Sequence, residues 1–236
     1  MTDKDIRTCE PSGVRNVGAD ASRPHLRGCA RSWAELTLLL RADLWRYDGR
    51  LGVKAFWKHF LFTPGYNYTV WMRLTGYLKA ARGLKPLYAL AKWRLLASRY
   101  KYGIAIPEYT EVGPGLFINR FGGIYVNGDA VIGANVNMSA GVMLGQTNRG
   151  ALSGSPTIGD RVYLAHGGKV IGRVSVGDEG VVAVNSVVTK DVPPRGVAGG
   201  IPAKIISDGG SDGYTNRLVP TDMLAAAMVY RAQRSA

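Results

Sequence analysis

A period of six residues dominates the second half of the chain. From residue 106 onward an aliphatic residue or Met returns at every sixth position, apart from one slip of two residues and one longer interruption. These positions are Ile106, Val112, Ile118, Ile124, Val126, Ile132, Met138, Leu144, Ile158, Leu164, Val170, Val176, Val182 and Val188. Neither an amphipathic helix nor an amphipathic strand sustains a strict period of six over so long a stretch.

Small residues commonly follow these anchors. They are Gly113, Gly133, Gly145, Gly159 and Gly177, with Ser139, Ala165 and Ala183 as substitutes. A small residue permits a sharp corner, and three six-residue faces close one coil of a parallel β-helix. Stacked coils then bury a continuous core that no single coil could bury. The sequence therefore predicts a mostly β fold, a hexapeptide solenoid, preceded by a small α-helical domain.

One interruption of the period stands out. Leu144 and Ile158 are separated by a polar, Gly-rich insert over residues 146–155. Loops that leave a rigid solenoid often carry function, although a tolerated surface insertion is the alternative. The solenoid is expected to end near residues 189–194, and residues 199–204 are expected to leave the coil.

The first half of the chain predicts helices. Ser32 and Glu35 fit a capping box, and Gly49 is a plausible end for the first helix. Further helices are expected over about 53–62, where Pro64-Gly65 ends the helix, over 67–81 and over 86–100, with a short one near 221–233. We divide the chain into a disordered leader (1–31), a basic aromatic helical domain (32–103), a β-helix (104–207) and a mobile or docking tail (208–236).

Positive charge is concentrated in the helical domain. Of the net charge of +13, residues 32–103 carry +10, from 13 Lys and Arg against 3 acidic residues. All five Trp lie in the same segment. This composition is typical of an interfacial membrane anchor, but a helical domain with an aromatic core and a solvated charged face is equally compatible. Nucleic-acid binding is disfavoured because no recognised motif for it is present.

Two cysteines, Cys9 and Cys29, are too few for a disulfide scaffold. We expect free thiols in a reducing compartment. The leader has no apolar stretch of the kind found in secretory signals, and no apolar run has the length needed to span a bilayer. The expected location is cytoplasmic, with the basic helices allowing peripheral attachment to the cytoplasmic face of the inner membrane.

Residues 103–206 resemble the serine acetyltransferase branch of the hexapeptide acyltransferases, and within it bacterial O-acetyltransferases that modify surface polysaccharides or their precursors. The segments that carry the resemblance are 122–126, 145–150, 156–160, 187–193 and 200–204. The resemblance implies a left-handed β-helix, a homotrimer with active sites between subunits, acetyl-CoA as co-substrate and no metal. It places the pantetheine arm near Ala165, His166, Ala183 and Val184 and the nucleotide near Lys204, and Gly145 is also expected to contact the cofactor.

The chain departs from this family at the acceptor site. Where the family has a general-base His, this chain has Arg120, and Asn119 replaces the Asp before it. Gly154 and Ser155 replace an Arg and a second His. Arg cannot accept a proton at neutral pH. His166 has the same offset from its anchor that Arg120 has, so it is the candidate general base.

These departures led to a specific functional expectation. Catalytic residues are expected at His166, Arg120 and Asn119, and a substrate loop at Asn148, Arg149 and Ser155. The leading hypothesis is an O-acetyltransferase acting on a sugar hydroxyl of a polysaccharide or lipid-linked glycan. The alternatives are a catalytically silent CoA-binding or scaffold trimer and, as a disfavoured reading, serine O-acetyltransferase.

Overall fold

A computed structural model describes residues 26–81 and 83–235 of the chain. Cys9 and His25 therefore lie outside the described residues. Residues 26–31, which were assigned to the disordered leader, pack against the β-helix: Cys29 and Ala30 are buried, and the Gly28 N–H donates to the Tyr109 carbonyl at 2.9 Å. Cys29 is thus buried rather than part of a flexible arm.

Within residues 26–81 and 83–103, four helices precede the β-helix. They are α1 (Trp33–Asp48), α2 (Val53–Phe62), α3 (Pro64–Ala80) and α4 (Lys85–Tyr102). The predicted cap of α1 forms, because the Ser32 hydroxyl accepts from the Glu35 N–H at 3.1 Å and the Glu35 carboxylate accepts from the Arg31 N–H at 2.7 Å. Gly49 ends α1 in the left-handed conformation, with φ of 66°.

The start of α3 differs from the prediction. Pro64 was expected to end α2, with the next helix beginning near Asn67. Instead only Thr63 separates the two helices, and Pro64 occupies the first turn of α3. Proline is tolerated there because the first N–H groups of a helix have no intrahelical partner.

Fifteen short strands follow. They are β1 (Ile104–Ala105), β2 (Glu111–Val112), β3 (Phe117–Ile118), β4 (Ile124–Val126), β5 (Val131–Ile132), β6 (Asn137–Met138), β7 (Met143–Gly145), β8 (Thr157–Ile158), β9 (Tyr163–Leu164), β10 (Lys169–Ile171), β11 (Ser175–Val176), β12 (Val181–Val182), β13 (Val187–Val188), β14 (Val197–Gly200) and β15 (Ala203–Ser207).

The strands form three sheets; from β1 to β13 each strand pairs with one three places away, and β14 and β15 extend the third sheet beyond β12. The first sheet has the order β1-β4-β7-β10-β13, the second β2-β5-β8-β11, and the third β3-β6-β9-β12-β14-β15. All pairings are parallel except β14 with β15. All fourteen positions of the six-residue period are buried, none more than 7% exposed. The parallel β-helix with an inward-facing period is therefore confirmed.

The end of the solenoid lies later than expected. The third sheet continues through β14, which pairs with β12, and β15 then folds back on β14. Residues 197–200 thus remain in the coil. The Ala183 N–H donates to the Ala198 carbonyl, and the Val181 N–H donates to the carbonyl of the preceding Gly196.

A buried ion pair joins the helices to the solenoid. Asp43 of α1 accepts from Arg73 of α3 at 2.6 and 3.0 Å. The Asp43 carboxylate also accepts from the Gly115 and Leu116 N–H groups, each at 2.9 Å. Both charged groups therefore have hydrogen-bond partners, and the ion pair holds α1 and α3 on the first coil.

The tail docks on the molecule. The Tyr214 ring stacks on Tyr163 with centroids 5.1 Å apart, and the Val219 N–H donates to Asn135 at 3.0 Å. Trp45 donates to the Leu218 carbonyl at 3.1 Å, just before α5 (Thr221–Ser235). Of the two readings of the tail, these contacts favour docking. The four-part division of the chain stays a prediction.

Candidate active site

One corner of the β-helix gathers the predicted catalytic residues. The strands β3, β6, β9 and β12 pair in register through Ile118, Met138, Leu164 and Val182. The second residue after each of these anchors is Arg120, Ala140, His166 and Val184. Neighbouring strands lie about 4.8 Å apart, so the backbones of Arg120 and His166 are about 10 Å apart along one column.

The three predicted catalytic side chains are open to solvent. Asn119, Arg120 and His166 are all exposed. Their backbone is fixed: the Asn119 N–H donates to the Met138 carbonyl at 3.0 Å, and the His166 carbonyl accepts from Asn185 at 2.8 Å. Within the described part of the chain, none of the three side chains has a hydrogen-bond partner, which leaves them available to a substrate.

The positions predicted for the pantetheine arm share this corner. Ala165 is buried, Ala183 half-buried and Val184 exposed. The N–H groups of Ala165 and Ala183 donate to the Val182 and Ala198 carbonyls, each at 2.9 Å. These two N–H groups already donate hydrogen bonds within the β-helix and are not available to a ligand. The small side chains of the two alanines would let a ligand approach the backbone.

The insert lies at the other end of the strands of the first sheet, away from the corner with Arg120 and His166. It leaves after β7 and returns at β8, and the Thr147 and Gly154 backbones pair across it. The Ser155 hydroxyl donates to Asn127 at 3.0 Å, and Asn127 donates to Gln146 at 3.0 Å. Gln146 in turn donates to Asn148 at 2.7 Å. This chain of hydrogen bonds gives the insert a defined base.

The predicted site residues therefore fall into separate groups within one chain. Asn119, Arg120, His166, Ala183 and Val184 lie at the corner between the third and first sheets. Gly145 and the insert residues Asn148, Arg149 and Ser155 lie at the corner between the first and second sheets, and Lys204 is exposed on β15. No single chain brings all of them together.

The sequence analysis did not identify a row of outward-facing residues on the first sheet, between the two corners. Tyr125, Met143 and Lys169 are in register on the first sheet. Tyr125 is 59% exposed, and Lys169 donates to the Gly167 carbonyl at 3.0 Å, beside His166. Their outward orientation follows from the sequence, since each of these residues precedes an inward anchor and side chains alternate along a strand.

His59 has a structural role. It is buried against Tyr47 and Tyr66, and its Nδ1 lies 2.9 Å from the Thr63 hydroxyl. Burial lowers the pKa of His59 below 6.5. Among the described residues, no group of three or more His, Cys, Asp and Glu could hold a metal ion.

Comparison with known proteins identifies the family. No model of a protein family matches the chain. The serine acetyltransferase of Helicobacter pylori (strain ATCC 700392 / 26695) is 33% identical over 151 residues, which are 64% of this chain and 86% of the relative. That of Staphylococcus aureus (strain N315) is 31% identical over 159 residues, 67% of each chain. The chain belongs to the serine acetyltransferase family.

Solved structures agree with this assignment. The serine acetyltransferase of Brucella abortus strain S19 is 29% identical, with a TM-score of 0.63 over 75% of this chain and 71% of that one. A serine acetyltransferase solved in complex with CoA is 25% identical, with a TM-score of 0.60 over 74% and 71%. The predicted left-handed β-helix behind a small helical domain is confirmed. The protein is an acetyl-CoA-dependent acyltransferase, and acetyl-CoA is its co-substrate.

The prediction of a sugar hydroxyl as acceptor was wrong. Relatives that are 31–33% identical over most of the chain are serine acetyltransferases, which the sequence argument had disfavoured. That argument rested on the four positions Asn119, Arg120, Gly154 and Ser155. These four positions argued against serine as the acceptor, but the similarity to serine acetyltransferases extends over 151 residues.

Proposed function

We propose that this chain transfers the acetyl group of acetyl-CoA to the hydroxyl group of L-serine, forming O-acetyl-L-serine and CoA. The observation that carries the proposal is the 33% identity with a serine acetyltransferase over 86% of that relative's length. The exposed corner that holds Arg120 and His166 supplies complementary chemistry for a small amino-acid acceptor.

His166 is the proposed proton acceptor. The serine hydroxyl attacks the thioester carbonyl carbon, a C–O bond forms, and the C–S bond breaks. The hydroxyl proton passes to the neutral His166 ring, which returns a proton to the departing CoA thiolate. A neutral imidazole can accept the first proton, and the resulting imidazolium can return it, whereas Arg120 cannot accept a proton.

Arg120 is the proposed anchor for the serine carboxylate. A guanidinium group binds a carboxylate with two parallel hydrogen bonds, and no acidic side chain of the described residues pairs with Arg120. The separation of about 10 Å between the two backbones leaves room for a small acceptor between the side chains. Asn119, next to Arg120, is proposed to contact the same acceptor.

We further propose a homotrimer with its active sites between subunits. The corner and the insert lie at opposite ends of the strands of the first sheet, so a second copy could bring the insert of one chain to the corner of another. Asn148, Arg149 and Ser155 would then border the acceptor site. Gly145, Ala165, Ala183 and Val184 would border acetyl-CoA, and Lys204 would offset its phosphate charge.

A panel of acceptors tests this function. Release of the CoA thiol from acetyl-CoA should depend on L-serine and be absent with L-alanine, which lacks the hydroxyl group. Ethanolamine keeps the hydroxyl group but lacks the carboxylate, so it should be a poor acceptor. Equal thiol release with L-serine and ethanolamine would contradict the role of Arg120. No release with L-serine at any concentration would contradict the proposed function.

A further inference from the structure

The helical domain exposes apolar side chains that acetyl transfer does not use. On α2, Val53, Trp57 and Leu61 lie four residues apart and therefore on one side of the helix. Each is at least 51% exposed, and the adjacent Phe62 is 80% exposed. Phe56 and Phe60 of the same helix pack against the core, so α2 has both a core side and an exposed apolar side.

A second exposed row lies on α4. Leu87, Leu90 and Trp93 are spaced three residues apart, and each is at least 51% exposed. Residues next to both rows in sequence contact Trp71 of α3. The Phe60 ring of α2 lies 6.2 Å from the Trp71 ring, and the Arg94 guanidinium of α4 lies 5.3 Å from it. We call the two rows together, with Phe62 and Tyr100, the α2/α4 face.

The charge around this face is mostly positive, although Lys58 pairs with Asp48 at 3.3 Å. Residues 49–107 contain no Asp or Glu. Lys54 and Lys58 lie on α2, and Lys85 and Lys101 lie near the two ends of α4. A large apolar surface with a rim of Lys is the composition of helices that lie in the interface of a lipid bilayer.

We propose that the α2/α4 face docks on an anionic lipid bilayer. A second copy is a poorer occupant, because two such faces would bring like charges together. Nucleic acid is poorer still, since phosphates would neutralise the Lys residues but leave the apolar rows in water. None of the helices in the described residues is long and apolar enough to cross a membrane, so the face lies on the surface.

A cavity beside the face fits the same occupant. It has a volume of about 620 Å³ and lies between α1, α2 and α3. Val53 and Trp57 belong both to its lining and to the α2/α4 face, and Arg41 is the charged residue in the lining. An acyl chain in this apolar cavity would place an anionic headgroup near Arg41.

Co-sedimentation with lipid vesicles tests the proposal. At low salt, the protein should sediment with phosphatidylcholine vesicles that contain phosphatidylglycerol, and recovery with pure phosphatidylcholine should be at least tenfold lower. High salt should release the protein, because exposed charges are screened. Trp57→Gln with Trp93→Gln should reduce binding at least tenfold, and Lys54→Gln with Lys58→Gln should reduce it more than tenfold, since each charge near the surface contributes about fivefold.

Matched controls separate docking from misfolding. Val229→Ser removes an exposed apolar residue on α5, and Lys190→Gln removes an exposed cation on the β-helix. Both should bind vesicles like the parent, and all variants should retain CoA thiol release. Equal recovery with neutral and anionic vesicles, or no recovery with either, would overturn the proposal. A smaller oligomer for the Trp57→Gln, Trp93→Gln protein would identify the face as a contact between copies and overturn it as well.

Discussion

At the scale of single residues, the proposed chemistry assigns anion binding to Arg120 and proton transfer to His166. Arg120 keeps its charge and can only bind an anion, whereas His166 can exchange a proton. Both side chains are exposed and lie on one column of the β-helix. The register of the strands places them in this relation, and the proposed chemistry assigns each its role.

Replacing His166 tests the base. His166→Ala should lower kcat by about 10² to 10⁴-fold, the usual contribution of a general base. CoA binding should change much less. Steady-state kinetics and a CoA-binding measurement report the two effects.

Arg120→Ala is the matched variant for that experiment. It should raise the KM for L-serine, because the carboxylate loses its partner, and should lower kcat much less than His166→Ala does. An active parent whose kcat does not respond to His166→Ala would contradict the assignment of the base.

At the scale of elements, Glu108 connects two helices to the start of the β-helix. Its carboxylate is buried and accepts from Lys92 of α4 at 2.6 Å and from Lys79 of α3 at 3.2 Å. Burial by itself would raise the pKa of Glu108, but the hydrogen bond from Lys92 and the charges of Lys92 and Lys79 hold this pKa below 4.5. The ionised form is therefore favoured in the folded protein.

This pKa predicts a specific dependence of stability on pH. Glu108→Gln should lower the free energy of unfolding at pH 7 by about 1 to 3 kcal/mol, because the Lys residues lose a charged acceptor. A depressed pKa contributes stability above the unfolded pKa and loses it as pH falls through the folded pKa. The difference between parent and variant should therefore shrink below about pH 4.5.

Urea unfolding at several pH values measures this effect. Asp129→Asn, at an exposed turn position, is the control and should unfold like the parent. A difference between parent and Glu108→Gln that is the same in acid as at pH 7 would contradict the role of the ionised carboxylate.

The sequence predicted the elements unevenly, for physical reasons. The six-residue period identified fourteen inward anchors, because inward packing is a local and repeated constraint, but it missed Val192 and Ala198, which pair with two of them. The docking of the tail could not be predicted, since Tyr214 meets Tyr163 and Val219 meets Asn135 across long sequence separations. Sequence alone also could not decide whether Trp57 and Trp93 were core or surface, because helical spacing fixes a face but not what covers it.

At the scale of the whole molecule, the predicted site residues lie in separate places on one chain. The corner residues and the insert lie at opposite ends of the strands of the first sheet, and the proposed trimer would bring them together between copies. The candidate corner could be predicted from sequence because it follows from the offset after an anchor. The relation between corner and insert required the order of the strands.

The mass in solution tests the assembly. Light scattering should give about three times the chain mass of 25.4 kDa, because the active site is proposed to need residues of two chains. A monomer at micromolar concentration that still releases CoA from acetyl-CoA with L-serine would contradict the shared site.

The central claim is transfer of an acetyl group to the serine hydroxyl. Incubation with ¹³C-acetyl-labelled acetyl-CoA and L-serine, followed by NMR, reports the destination of the label directly. The account predicts labelled O-acetyl-L-serine in an amount equal to the CoA released. Label that remains in acetyl-CoA, or that appears only as acetate, would contradict it.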